Sequence, residues 1–339
     1  MMAAPLETGS PLAGQAPDDT STTAHNTRPP PERRRAALRP THLVKALRLP
    51  FTAASVLPYL TGALLAPTPW RPLLLALGLI AVAGTHLSAN VINDYADARS
   101  GVDALDPTCF GFFGGSKLIQ QGILPARFFL LTGLGLAALS ATAALLGALL
   151  LKQPHLFLVF LLVWTAGWAY SCPPAALVYR GLGELTIFLL FGLATTCAGY
   201  ILQTGRLTPD AILLGLPHGF LVAGILIANE VPDAPDDERA GKRTLVVRAG
   251  AERGCLLYAL AAILAAVAMA VAVARAILPL AGLLAIPAAL LPAAAAAGRL
   301  RASPADKQKL VKASKLAIAA HVVSSLVIIM TLLPGKGPA

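Results

Sequence analysis

Two short stretches carry most of the residues able to do chemistry. In NVINDYADARSGVD (90–103), Asn90, Asn93 or Asp94, and Asp97 recur every three or four positions and so fall on one helical face. Asp103 lies just beyond Gly101, where a helix can end. In NEVPDAPDDERAGKRTLVVRAG (229–250), Asn229, Asp233 and Asp237 stand at i, i+4 and i+8, with Lys242 and Arg243 close behind. Pro232 and Pro235 are expected to forbid a regular helix across this second set, which leaves its alignment less secure than that of the first. Two carboxylate sets with cations between them suit Mg²⁺, which seeks oxygen ligands and is usually held by one or two carboxylates plus substrate phosphates. The lysines and arginines would then neutralise the remaining phosphate oxygens. The plainer alternative is a polar helix end for the first set and a hairpin of surface charges for the second. It accounts for one or two acids but poorly for a one-faced row of Asn and Asp.

Two further segments bear on the same chemistry. FGFFGGSK (110–117) offers flexible backbone N–H donors and Lys117, a cradle for phosphate oxygens. YSCPPAALVYRGLGE (170–184) places Arg180 and Glu184 one turn apart, either as a phosphate-binding arginine or as a simple ion pair at a helix end. AGKRT echoes a phosphate-binding loop, but Asp236 stands where its first glycine is needed, so that reading fails. His86, four residues before Asn90, shares its helical face; it either lines the same cavity or is a packed histidine. The four cysteines (Cys109, Cys172, Cys197, Cys255) have no ligand spacing and read as small apolar filler.

The elements that must position these groups are membrane helices. The 339 residues are 56% hydrophobic and 13% charged, against roughly 25% charged in soluble domains, and mean hydropathy is +0.69. A charge at the bilayer centre costs roughly 2.5–3.5 kcal/mol on insertion scales, so the acids are expected at helix ends. Apolar runs long enough to span lie at about 43–66, 72–95, 126–151, 155–171, 181–202, 211–230, 253–274, 277–298 and 309–333. Pro50 and Pro58 should kink the first. With the N-terminus inside, 22 of the 27 Lys and Arg fall on the cytoplasmic side, which sets the orientation. The net charge of +10 is spread between apolar runs, unlike a nucleic-acid-binding stripe. Residues 1–40, with PPPERRR, read as a disordered cytoplasmic tail, and 41–335 as one transmembrane domain.

At these motifs the sequence resembles the UbiA superfamily of intramembrane prenyltransferases, over about residues 43 to 333. The family's first aspartate motif matches Asn93, Asp94, Asp97 and Asp103, and its second matches Asn229, Asp233 and Asp237. NDYADARSGVD, GGSK, YRGLGE and AGKRTL are most similar to the MenA-like naphthoate branch, although Pro235 stands where relatives often carry an acid. The resemblance implies an all-α integral-membrane fold, nine helices around a central cavity with the active site at its cytoplasmic end. It also implies Mg²⁺-dependent transfer of a polyprenyl group from its diphosphate to an aromatic acceptor, plausibly 1,4-dihydroxy-2-naphthoate in menaquinone biosynthesis. Asp97, Asp233 and Asp237 would be the catalytic metal ligands, with Asp103 a further one. Asn90, Asn93, Asp94, Lys117, Arg180, Asn229, Lys242 and Arg243 would bind substrate. The partners would be the two substrates and the bilayer, in a bacterial inner membrane, with no nucleic acid. Other acceptors (hydroxybenzoate, homogentisate, haem, chlorophyllide, a glycerol phosphate ether), a terpene cyclase on the same bundle, and a transporter are the competing readings.

Overall fold

The structure, a computed structural model, describes residues 39–67, 70–100, 115–302 and 306–333. Residues 1–38 of the expected tail, Asp103 and most of FGFFGGSK lie outside them. The described residues form helices and turns, with no strand among them. Chain order is α1 (Pro40–Ala46), a 3₁₀ turn (Leu49–Thr52), α2 (Ala53–Leu65), α3 (Pro72–Ser100), α4 (Ala126–Leu150), α5 (His155–Ala169) and a second 3₁₀ turn (Leu177–Arg180). Next come α6 (Gly183–Ile187), a π-helical segment (Phe188–Ala194), α7 (Thr195–Thr204), α8 (Pro209–Arg239), α9 (Leu245–Ala249) and α10 (Ala251–Ala274). A third 3₁₀ turn (Leu280–Leu284), α11 (Ala285–Ala302) and α12 (Lys307–Leu332) complete it.

Seven helices are long and apolar enough to cross a membrane, and two shorter apolar ones, Leu49–Leu65 and His155–Ala169, stand at the first and fourth expected spans. Among the described residues, helices thus stand at all nine expected positions, seven of them at full spanning length. Arg48 adopts a left-handed backbone and Pro50 lies in a 3₁₀ turn, so the α-helix of the first run starts only at Ala53. The fourth ends at Tyr170 in the turn before Pro173 and Pro174. Pro58 sits inside α2.

One correction concerns the prolines of the second motif. α8 runs unbroken through Pro217, Pro232 and Pro235. A proline lacks the N–H that would bond four residues back, so the carbonyls of Ala228 and Val231 lose their helical donors. The helix continues because α10 packs along it and α6 and α9 pack against it. Prolines are tolerated in membrane helices when neighbours hold the backbone. The consequence is functional: Asn229, Asp233 and Asp237 do lie along one face.

Polarity is arranged as lipid requires. Leu131, Leu162, Leu256 and Leu291 are among the most exposed side chains, and they face hydrocarbon. Small residues line the helix seams: Ala265, Ala272, Ala289, Ala293, Ala296, Ala313 and Ala317 are buried between α10, α11 and α12. The closest approach joins α2 to α7. A Cβ on Gly62 would sit 1.8 Å from the Thr196 carbonyl oxygen, and one on Gly199 would sit 2.0 Å from that of Tyr59. Gly62→Ala is therefore expected to force the two helices apart. It should lower stability by at least about 1–3 kcal/mol, seen as a lower melting temperature and less monodisperse protein in detergent. An unchanged melt would contradict this packing.

Candidate active site

α3 and α8 each bring one acid-bearing face to the same end of the bundle. On α3, the amide nitrogen of Asn93 donates to Asp97 Oδ2 (3.1 Å) and to Ser171 Oγ (2.9 Å), tying the helix to the segment after α5. On α8, Asn229 Oδ1 accepts from Ser314 of α12 at 2.7 Å. Asp237 Oδ1 lies 3.4 Å from the ammonium of Lys242, which also stands over the Tyr179 ring, 5.6 Å from its centroid. Burial works against the Lys242 charge, but Asp237, Asp97 and Tyr179 outweigh it and raise the lysine above its ordinary value. Carboxylates from both motifs thus act on one cation.

Tyr170 marks the same meeting point. Its phenol is held well above the usual tyrosine range, first by burial and then by the carboxyls of Glu230, Glu184, Asp237 and Asp97. Beside it, the Cys172 thiol is pushed up by burial and by Asp97. Glu184 and Glu230 are both buried. Glu184 Oε1 accepts the Leu245 N–H at 2.9 Å and so anchors α9, and with it the Lys242–Thr244 turn, to α6.

Asp94 has a different task from its neighbour Asp97. Its side chain is 2% exposed. Oδ1 pairs with the Arg48 guanidinium, and Oδ2 accepts the backbone N–H of Ser116 at 3.1 Å. It therefore clips the start of the first span and the segment leading to Lys117 onto α3. Lys117 is buried with a left-handed backbone (φ 56°). Arg180 is exposed, and its guanidinium donates to the Pro174 carbonyl at 2.7 Å rather than pairing with Glu184. Arg243 is exposed too, bonded through its backbone to Tyr179 and Arg248. Asp233 is part-buried on the α8 face between Asn229 and Asp237.

Behind the acids lies an apolar cavity of about 500 Å³. Arg48, Asn90, Asn93, Tyr170, Ser171 and Asn229 line its polar end; Val159, Phe160, Val163, Leu190, Phe191, Ile201 and Leu202 line its greasy length. Asp97 and Asp233 follow Asn93 and Asn229 by one helical turn, so the carboxylates stand at the mouth. Arg48 and Tyr170 escaped the sequence reading. A lone arginine before Pro50 at the edge of an apolar run was the available signal for the first; nothing in the spacing marked the second.

Among the described residues no three His, Cys, Asp or Glu side chains form a closed metal cage. The donors that do converge are carboxylate oxygens on two helices with a lysine beside them. That set fits a hard divalent ion shared with phosphate oxygens, which needs only one or two protein carboxylates.

Fold and site together define an intramembrane helical bundle whose apolar cavity opens under a two-helix acid cluster. The chain belongs to the UbiA prenyltransferase family, whose profile matches residues 55–319. It is 32% identical over 189 residues to a 1,4-dihydroxy-2-naphthoate octaprenyltransferase of Mycobacterium tuberculosis, a match covering 56% of this chain and 62% of the relative. A protein of the same description from Haemophilus influenzae is 28% identical over 228 residues, covering 63% and 71%. In fold, the chain is similar to an apo UbiA homolog from Aeropyrum pernix (TM-score 0.67, 17% identity, 83% of this chain and 98% of that one). It is also similar to one from Archaeoglobus fulgidus bound to GPP and Mg²⁺ (TM-score 0.59, 20% identity, 85% and 99%).

Proposed function

We propose that this protein transfers a polyprenyl group from an allylic diphosphate to an aromatic acceptor with Mg²⁺ as cofactor. We further propose that the acceptor is 1,4-dihydroxy-2-naphthoate, on the route to menaquinone. The observation that carries the reading is the convergence of Asp97 and Asp237 on Lys242 and Tyr170 at the mouth of an apolar cavity. The solved relative bound to GPP and Mg²⁺ supports the donor and the metal; the naphthoate relatives support the acceptor.

In this reading Asp97, Asp233 and Asp237 hold Mg²⁺ against the diphosphate. Bound Mg²⁺ supplies charge neutralisation that makes diphosphate a better leaving group. Lys242 and Lys117 add fixed positive charge at the same end, and Arg48 lines the polar end of the cavity. The hydrocarbon tail occupies the apolar length, and the buried walls keep water from the allylic carbon. Asn90, Asn93 and Asn229 line the level between tail and acids and orient the reacting groups. The charge bias of the loops supports an inner-membrane orientation with the acids on the cytoplasmic side.

Product mass spectrometry tests the proposal directly. Purified protein given geranylgeranyl diphosphate and a panel of aromatic acids should prenylate dihydroxynaphthoate, with diphosphate release abolished by EDTA and restored by Mg²⁺. Efficient transfer to hydroxybenzoate with none to dihydroxynaphthoate would refute the acceptor assignment. Metal-independent turnover would refute the site.

A further inference from the structure

Deep within, the cavity contains a polar atom that the prenyl diphosphate proposed above does not explain. Deeper than Asn90, its polar lining side chains are Ser55, Thr85, His86 and Thr195, besides the Cys197 thiol. The three hydroxyls are committed to the protein. Thr85 bonds Ser140 at 2.7 Å, Thr195 bonds the Phe191 carbonyl, and Ser55 donates to the Thr52 carbonyl at 3.1 Å. His86 is 7% exposed. Its Nδ1 lies 2.9 Å from Ser55 Oγ, while Nε2 bonds no protein atom and is not sealed from the cavity.

The serine can share its hydrogen bond with His86 in either direction. A hydroxyl carries one proton, and the Thr52 carbonyl, 3.1 Å from Ser55 Oγ, can only accept it. When that proton goes to Thr52, the contact with His86 runs from Nδ1–H to Ser55 Oγ. A neutral imidazole with its proton on Nδ1 presents a bare lone pair at Nε2. Phe191, set by the π-helical segment, meets the ring edge to face with centroids 4.7 Å apart at 78°, which holds it in place. In that tautomer the cavity offers a rigid hydrogen-bond acceptor inside an apolar wall, and leaving such a group without a donor is costly.

Of the two substrates proposed above, only one can answer it. A prenyl chain has no O–H, and a diphosphate is an acceptor. The aromatic acceptor carries ring hydroxyls. His86 lies on the same helix as Asp97, about 16 Å away along its axis at 1.5 Å per residue. That interval holds a diphosphate head with an aromatic ring beyond it.

We propose that His86 Nε2 accepts a hydrogen bond from a ring hydroxyl of the aromatic acceptor and thereby orients the ring for attack; in 1,4-dihydroxy-2-naphthoate this is the 4-hydroxyl, since the 1-hydroxyl bonds the adjacent carboxylate. The inference rests on the prenyl-transfer reading but not on which phenol is used.

The test is a cycle between protein and substrate. Full-length wild type, His86→Leu and His86→Gln would be assayed with 1,4-dihydroxy-2-naphthoate and with 1-hydroxy-2-naphthoate, which lacks one hydroxyl. In His86→Leu the KM for the dihydroxy acceptor should rise about tenfold, with a much smaller change in the KM for geranylgeranyl diphosphate. Wild-type preference for one compound over the other should collapse. His86→Gln, whose carboxamide oxygen can accept the same bond, should recover much of the loss. An acceptor KM in His86→Leu equal to wild type, or an undiminished preference between the two naphthoates, overturns the proposal while leaving prenyl transfer intact. If wild type prenylates another phenol instead, the same cycle is run on that phenol and its deoxy analogue. Transfer to no phenol at all overturns both readings.

Discussion

Asp97→Asn is expected to slow Mg²⁺-dependent diphosphate release by at least about a hundredfold, the scale on which a single electrostatic group at a reaction centre acts. The variant should nevertheless fold. Asparagine keeps the shape of aspartate, and its carbonyl can still accept from Asn93 Nδ2, now 3.1 Å from Asp97 Oδ2. Asp97 shares its surroundings with Asp237, Glu184 and Glu230, all of which act on Tyr170. Removing one negative charge from that group relieves repulsion, which offsets the partner lost to Lys242. What the asparagine cannot do is offer an anionic oxygen to a divalent ion. The Mg²⁺ concentration giving half-maximal rate should therefore rise as the rate falls, and the melting temperature in metal-free detergent should barely move. Asp237→Asn differs in one respect: it strips Lys242 of its 3.4 Å partner, so some stability should go with the activity. Turnover near wild type in Asp97→Asn would remove Asp97 from the metal site.

The sequence disclosed this fold through chemistry that is costly in lipid. A row such as Asn90, Asn93, Asp97 at the end of an apolar run is hard to explain except as part of a wet site, and α3 carries it as the spacing required. The second motif was readable in composition but not in geometry. Pro232 and Pro235 argue locally against a helix; the packing of α10, α9 and α6 around α8 overrides them, and tertiary contacts leave no trace in a window of ten residues. Side-chain destinations were the least legible. Arg180 and Lys242 look equally suited to phosphate from their motifs, but a turn over Pro174 takes the Arg180 guanidinium to the surface, whereas α9, pinned by Glu184, turns Lys242 towards Asp237. Arg48 was invisible because its partner is 46 residues away.

That partner gives the second large effect. Asp94 sits three residues before Asp97 in the same motif, yet its replacement should reveal itself first in stability. Asp94→Ala removes a side chain that is 2% exposed, and with it the carboxylate that accepts from the Arg48 guanidinium and the Ser116 N–H. Breaking one side of a buried pair costs about 3–5 kcal/mol, and the lower end applies because Arg48 keeps 25% of its surface in contact with the surroundings. A loss of roughly 3 kcal/mol is a large part of a domain's margin. Thermal unfolding in detergent should shift down clearly, where Asp97→Asn leaves it in place. Replacing both partners by apolar residues, Arg48→Met with Asp94→Leu, should recover part of the stability, since a guanidinium that has lost its carboxylate is then no longer left at the bundle edge. It should not recover turnover. The Ser116–Lys117 segment would still lack its anchor on α3, and the cavity would have lost the arginine at its polar end. A double-mutant cycle gives the coupling between positions 48 and 94. A coupling near zero, or an Asp94→Ala protein that melts like wild type, would show that the clip between the first span and α3 contributes nothing to holding the site together.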